Sequence, residues 1–180
     1  MSMETKDNIF ILIERSKEGD SVAFSELYSL YATELYRFSL YMTASKEDAE
    51  DAVQEAVLSA WRSIKSLKDN SLFKPWLFKI LTNKCKTILT AKNKLPDILP
   101  AEEYEFLIDN TEELSDDSLI NAAELKEALS RLTPPDAQII ILSIIGGFKS
   151  HELAVIYDMP AATIRSRQQR ALKQLRGILE

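Results

Sequence analysis

The stretch Ser150-His151-Glu152-Leu153-Ala154-Val155-Ile156-Tyr157-Asp158-Met159-Pro160-Ala161-Ala162-Thr163-Ile164-Arg165-Ser166-Arg167-Gln168-Gln169-Arg170 decides the fold of its end of the chain. Leu153, Ala154 and Tyr157 recur at helical spacing, and Asp158-Met159-Pro160 breaks the run, because Pro160 lacks an N–H and biases Met159 away from helical angles. A second helix starts at once, with Pro160 tolerated in its first turn. Two helices joined by so tight a turn form a helix-turn-helix, the geometry that places the second helix in a DNA major groove. At 100° per residue, Ile164, Ala171, Leu172, Leu175, Ile178 and Leu179 fall in one apolar sector that must face the domain. Opposite lie Ala162, Ser166, Gln169, Arg170 and Lys173, with Arg165, Arg167 and Arg176 on the flanks. Small residues at the start allow close approach to a groove. Arg170 is the best candidate for reading guanine, whereas flanking arginines suit phosphates, which position a helix but carry no sequence information.

Outward from that motif, the chain of 180 residues has room for two small domains. Long stretches carry helical rather than alternating periodicity, and glycine and proline are few, so the expected fold class is all-α. Net charge is −6, but unevenly spread. Residues 95–118 hold nine acids and no Lys or Arg, together with Pro96 and Pro100. They read as an acidic linker between an N-terminal helical bundle (1–94) and the helix-turn-helix domain (119–180). Just before the linker, residues 72–94 carry six lysines and no acid. The order of basic helix, acidic linker and basic helix-turn-helix suggests two grips on a polyanion.

Within the N-terminal part, Phe24, Leu27, Tyr28, Tyr31, Leu35 and Phe38 mark an amphipathic helix or two. Ser45 is placed to cap another, with Glu47 and Asp48 favourable in its first turn. Ala49, Ala52, Val53, Ala56, Val57, Ala60, Trp61 and Ile64 form its buried stripe. The opposite face carries Asp51, Gln54, Glu55, Leu58 and Arg62, and a leucine centred among polar residues there fits a protein-docking patch. After a polar segment, Lys65 to Ser71, a helix begins near Phe73, with Trp76, Leu77, Ile80, Leu81 and Ile88 expected in the core.

Catalysis finds no support. The single cysteine, Cys85, and single histidine, His151, are far apart, and no glycine-rich phosphate loop is present. His151-Glu152 begins like a zinc-protease motif but lacks the second histidine. No catalytic residue, metal, cofactor or small-molecule substrate is therefore expected. The apolar run Ile9 to Ile13 is ended by Glu14 and Arg15, far short of a membrane span, and a lone cysteine suits a reducing compartment, so a cytoplasmic location is expected.

Asp48 through Trp61, followed by Phe73-Lys74-Pro75-Trp76-Leu77-Phe78-Lys79-Ile80, resembles region 2 of the extracytoplasmic-function sigma factors of bacterial RNA polymerase. Gly19-Asp20, Ala23-Phe24, Tyr28 and Tyr31 fit the start of that region. Leu132-Thr133-Pro134-Pro135, Gly147, Glu152-Leu153-Ala154 and Met159 through Arg167 resemble region 4. The resemblance implies an alternative sigma factor whose partners are core polymerase (the β′ coiled coil and β), promoter DNA and an anti-sigma factor. It implies polymerase docking through Asp51, Gln54, Glu55, Leu58 and Arg62. It assigns the melted −10 strand to Lys68, Asp69 and Asn70, with Lys74, Lys79, Lys84 and Lys86 tracking its phosphates. The −35 element would be read by Ala162, Thr163, Arg165, Ser166, Arg167, Gln169, Arg170 and Lys173. Three departures stand out, one being the less typical Gln168-Gln169 pair, whose Gln169 suits adenine. Lys149 occupies a position where the family commonly has a capping serine, so the cap is expected to move to Ser150, and Ala162 replaces the usual glycine. The rival reading is a stand-alone helix-turn-helix regulator that binds DNA without polymerase.

Overall fold

The computed structural model of the chain describes residues 3–92 and 127–179. The expected acidic linker lies outside the described residues. Five helices precede it: α1 (Met3–Lys17), α2 (Ser21–Ser29), α3 (Ala32–Thr43), α4 (Lys46–Ser63) and α5 (Phe73–Ala91). Two 3-10 turns, Ile64–Ser66 and Asn70–Leu72, join α4 to α5. After a helical turn at 127–130 come α6 (Pro134–Ile145), α7 (Ser150–Tyr157) and α8 (Ala161–Leu179). Among the described residues every regular element is helical, as periodicity predicts.

Local chemistry explains the boundaries. Asp20 caps α2 by accepting from the backbone N–H groups of Val22 and Ala23, both at 3.0 Å. Those N–H groups, Ala23 foremost, and the Arg15 guanidinium hold its carboxyl below the usual range. The periodicity over 21–44 resolves into two helices, broken at Leu30-Tyr31. Ser45 caps α4 as read, its hydroxyl accepting from the Asp48 N–H at 3.3 Å.

Helix α4 buries a row of alanines, Ala49, Ala52, Ala56 and Ala60, each fully enclosed. With mostly methyl groups on this stripe, the backbones of α3 and α5 approach closely, and larger neighbours fill the space between. Phe38 meets Phe78 with ring centroids 6.0 Å apart, and Phe24 meets Trp61 at 5.1 Å. Val57 and Trp61 end up only partly buried, at the edge of the stripe. Asp48 is buried and pairs with Lys92, which joins the end of α5 to the start of α4. That bond holds the Lys92 ammonium above its ordinary range.

The C-terminal domain is built on a tight frame. Pro134 and Pro135 occupy the first turn of α6, where their missing N–H groups cost nothing. Gly147 takes φ +59, a left-handed conformation that favours glycine, and turns the chain from α6 towards α7. Asp158 takes φ +52 and ends α7.

Two expectations need correction here. The cap of α7 does not move to Ser150. Lys149 holds the capping position, and the Glu152 carboxylate closes the turn by accepting from the Lys149 backbone N–H at 2.8 Å. Ser150 already lies inside the helix and donates its hydroxyl to Gln168 at 2.7 Å instead. Leu172 is not in the apolar face either, being 45% exposed. It lies about 80° round the helix from Ile164, Ala171 and Leu175, at the margin of the stripe. Those three residues are buried as expected.

Candidate nucleic-acid and polymerase interfaces

Most of the α8 residues expected to face DNA lie on its exposed side. Ala162, Thr163, Arg165, Ser166, Gln169, Arg170 and Lys173 are all exposed. Arg170 lies along the helix, its Nε donating to the Ser166 carbonyl at 3.4 Å. Arg167 departs from the set. It is half-buried and donates to Asp136 of α6 at 3.1 Å, so its charge is already partnered inside the domain. The helix is gripped from α6 and α7 at the next residue too, where Gln168 bonds Ser143 and Ser150.

On α4 the residues Asp51, Gln54, Glu55, Leu58 and Arg62 line one exposed stripe, and Leu58 is 43% exposed. The leucine faces away from the core, so what surrounds it is a polar rim rather than packing. Glu55 also receives Lys84 of α5 at 3.3 Å.

The segment between α4 and α5 is more ordered than a polar loop. Leu67 is buried beneath it. Asp69 caps the second 3-10 turn by accepting from the Ser71 hydroxyl (2.6 Å) and backbone N–H (2.9 Å), which hold its carboxyl below the usual range. Asn70 is tied to α1, donating to Glu14 and accepting from Lys17, both at 2.7 Å. Of the three candidate base-contacting residues, Lys68 and Asp69 are exposed and Asn70 is half-buried.

The lysines of α5 meet protein groups in the free chain. The α6–α7 loop and α7 pack on α5. Phe148 meets Phe78 edge-on, with centroids 4.8 Å apart at 69°. Lys74 donates to the Gly146 carbonyl at 2.7 Å, pairs with Glu34 at 2.7 Å, and holds its ammonium 5.0 Å from the Phe148 ring centre. Lys79 pairs with Asp158, and Lys86 sits 5.8 Å from the Tyr157 ring centre. Burial, with Tyr41 and Cys85 nearby, pushes the Tyr157 hydroxyl far up. Lys74, Lys79 and Lys84 are thus paired with protein groups in this arrangement, whereas Lys86 stays exposed beside the Tyr157 ring.

Nothing in the sequence pattern announces this seam. Phe148 sits alone between two glycines and a lysine, outside any periodic run. At Gly146 a Cβ would run into the Phe148 ring, so glycine there lets the ring lie against the loop backbone. Among the described residues no three His, Cys, Asp or Glu side chains are grouped to hold a metal ion. No helix among them is long and apolar enough to cross a membrane.

Comparison with known proteins gives a consistent answer. Residues 27–94 match the Sigma-70 region 2 family, and residues 122–175 match Sigma-70, region 4. The chain is 32% identical to the ECF RNA polymerase sigma-E factor of Escherichia coli, over 95% of this chain and 93% of that protein. It is 31% identical to the sigma-E factor of Haemophilus influenzae, over 94% of each. Among solved structures, CnrH in complex with the cytosolic domain of CnrY superimposes with a TM-score of 0.70, at 22% identity, covering 94% of this chain and 95% of that one. The sigma factor RpoE bound to the anti-sigma factor NepR from Bartonella quintana gives 0.64, at 24% identity, covering 87% and 96%. At these identities the two structures speak for the fold.

Proposed function

The chain belongs to the extracytoplasmic-function sigma factors of the sigma-70 family, and from that membership we propose how its parts divide the work of promoter opening. It is an alternative sigma factor that directs bacterial RNA polymerase to specific promoters. Residues 1–94 act as region 2 and residues 119–180 as region 4, with 95–118 as the linker. The α4 stripe of Asp51, Gln54, Glu55, Leu58 and Arg62 docks on the β′ coiled coil, and the protein also meets β. Lys68, Asp69 and Asn70 take the melted −10 strand, while Lys74, Lys79, Lys84 and Lys86 follow its phosphates. Ala162, Thr163, Arg165, Ser166, Gln169, Arg170 and Lys173 of α8 face the −35 duplex, and Arg167 joins them only by leaving Asp136.

One observation carries this reading. The face of α8 opposite the buried Ile164, Ala171 and Leu175 is exposed along its length, follows a tight left-handed turn, and combines small residues at its start with cations further on. Binding energy from two DNA grips and one docking face stabilises the opened promoter, with no covalent step and no cofactor. The protein works in the cytoplasm, where polymerase and promoter are.

The seam between α5 and α7 adds a condition. Lys74 and Lys79 reach phosphates only after parting from Gly146 and Asp158. Lys79–Asp158 is a partly exposed pair, worth ~0.2–1 kcal/mol, so phosphates displace it at little cost. Engagement of the −10 strand is therefore coupled to separation of the two regions. The similar proteins CnrH and RpoE were solved with CnrY and with the anti-sigma factor NepR, which favours an anti-sigma factor as a partner of this chain too.

The test is transcription by core polymerase on a genomic fragment library, with and without this protein, followed by sequencing of RNA starts. New starts that share two spaced elements are expected. Absence of new starts, with a shift of duplex DNA by the protein alone, would refute the assignment and favour a stand-alone regulator.

A further inference from the structure

We propose that Gln168 is a positioning residue for −35 reading, a role that rests on the assignment of α8 to that element. Its amide joins the DNA-facing helix to both α6 and α7 and sets the angle at which α8 enters the groove. The Gln168 Nε2 donates to the Ser143 hydroxyl of α6 at 2.8 Å, and its Oε1 accepts from the Ser150 hydroxyl of α7 at 2.7 Å. Ser143 gives its one hydroxyl hydrogen to the Ile139 carbonyl at 2.9 Å, so towards Gln168 it acts only as an acceptor. That settles which end of the amide faces which serine. All three side chains are half-buried, and every hydrogen-bonding direction between them is used consistently.

The location gives the contact its leverage. Gln168 lies directly before Gln169 and Arg170, both exposed on the DNA side. Side-chain tips on a helix lie roughly 5–6 Å from its axis, so a rotation of about 10° moves them by about 1 Å. A bidentate base contact tolerates about half that displacement. A hydrophobic side chain at 168 would fill the same volume without fixing the rotation. Arg167 bonds only α6, through Asp136, whereas the Gln168 amide hydrogen-bonds α6 and α7 together.

The experiment compares Gln168→Met, Ser143→Ala and Ser143→Thr in the full chain with core polymerase. Single-round transcription is measured on one promoter with its −35 element intact and scrambled, alongside the melting temperature of each variant. Ser143 lies on α6 and is no part of the DNA-facing set, so Ser143→Ala removes the contact without touching that surface. Gln168→Met and Ser143→Ala should each lower the intact-to-scrambled ratio about 3- to 10-fold, with output from the scrambled promoter unchanged. Ser143→Thr keeps the hydroxyl and should restore the ratio. The proposal is overturned if Ser143→Ala keeps the wild-type ratio, whether Gln168→Met lowers it or not. It is also overturned if melting temperatures fall while ratios hold. A wild-type protein indifferent to scrambling would instead refute the −35 assignment to α8, a distinct result visible before any variant is made.

Discussion

Phe148→Ala tests whether region 4 is held against region 2 mainly by packing or by charge. Phe148 is 4% exposed and meets Phe78 edge-on across the seam. Burying a phenylalanine contributes ~1.5–3 kcal/mol, and an edge-to-face pair ~0.5–1.5 kcal/mol more. Part of the ring rests on Gly146 of its own region, so the share belonging to the seam is about 1–3 kcal/mol, or 5- to 150-fold in the closed-to-open ratio. The half-exposed Lys79–Asp158 pair contributes under ~1 kcal/mol by comparison. Packing should win. Dyes on Glu26→Cys and Arg176→Cys, both exposed positions, report the distance between regions by energy transfer, because the buried Cys85 does not compete for label. Urea should separate the regions at a clearly lower concentration in Phe148→Ala and at a slightly lower one in Lys79→Ala. An unchanged midpoint for Phe148→Ala, or a larger shift for Lys79→Ala, would refute the reasoning.

Leu58→Asp should abolish co-elution with core polymerase while leaving helicity intact, because the side chain points away from the core; retained co-elution removes the α4 stripe as the docking face. Arg170→Ala should cost ~1–3 kcal/mol of −35 discrimination, whereas Lys173→Ala should weaken all promoters alike and lower the salt slope by about 0.9, both measured by binding of the holoenzyme across a salt series. Burial pushes the Cys85 thiol up to about 12, so the folded state holds its proton more tightly than the unfolded chain. The stabilisation this brings is complete below the ordinary thiol range and is lost as pH rises from about 9 towards 12. Thiol labelling at pH 8 should accordingly track global unfolding, and fast labelling of the native protein would contradict that burial.

Periodicity carried most of the fold. The alanine row of α4 and the cap at Ser45 are local events, decided within a few residues and visible in sequence. The exposed stripe around Leu58 was legible for the same reason, as was the outward face of α8. Contacts across long sequence separations were not. Arg167 has the spacing of a phosphate ligand, and only the folded position of Asp136 shows that it is taken. The lysines of α5 read as a free basic face until α7 is placed over them. Gln168 looks like a spare polar residue beside Gln169, and its role depends on two serines that three separate helices bring together. Leu172 failed through a margin effect, since a helical wheel assigns a sector but not how far the neighbouring helices reach around it.

The seam also has a history in time. The match to region 2 ends at residue 94, and Phe148 lies 54 residues further on. At ~5–20 residues per second, a ribosome needs roughly 3–11 seconds to reach it. Throughout that interval the Phe78 side of α5 and the lysines around it have no region 4 to cover them. Each newly made molecule therefore passes through a stage in which this face of α5 is open, and anything that binds it during synthesis does so before region 4 can compete.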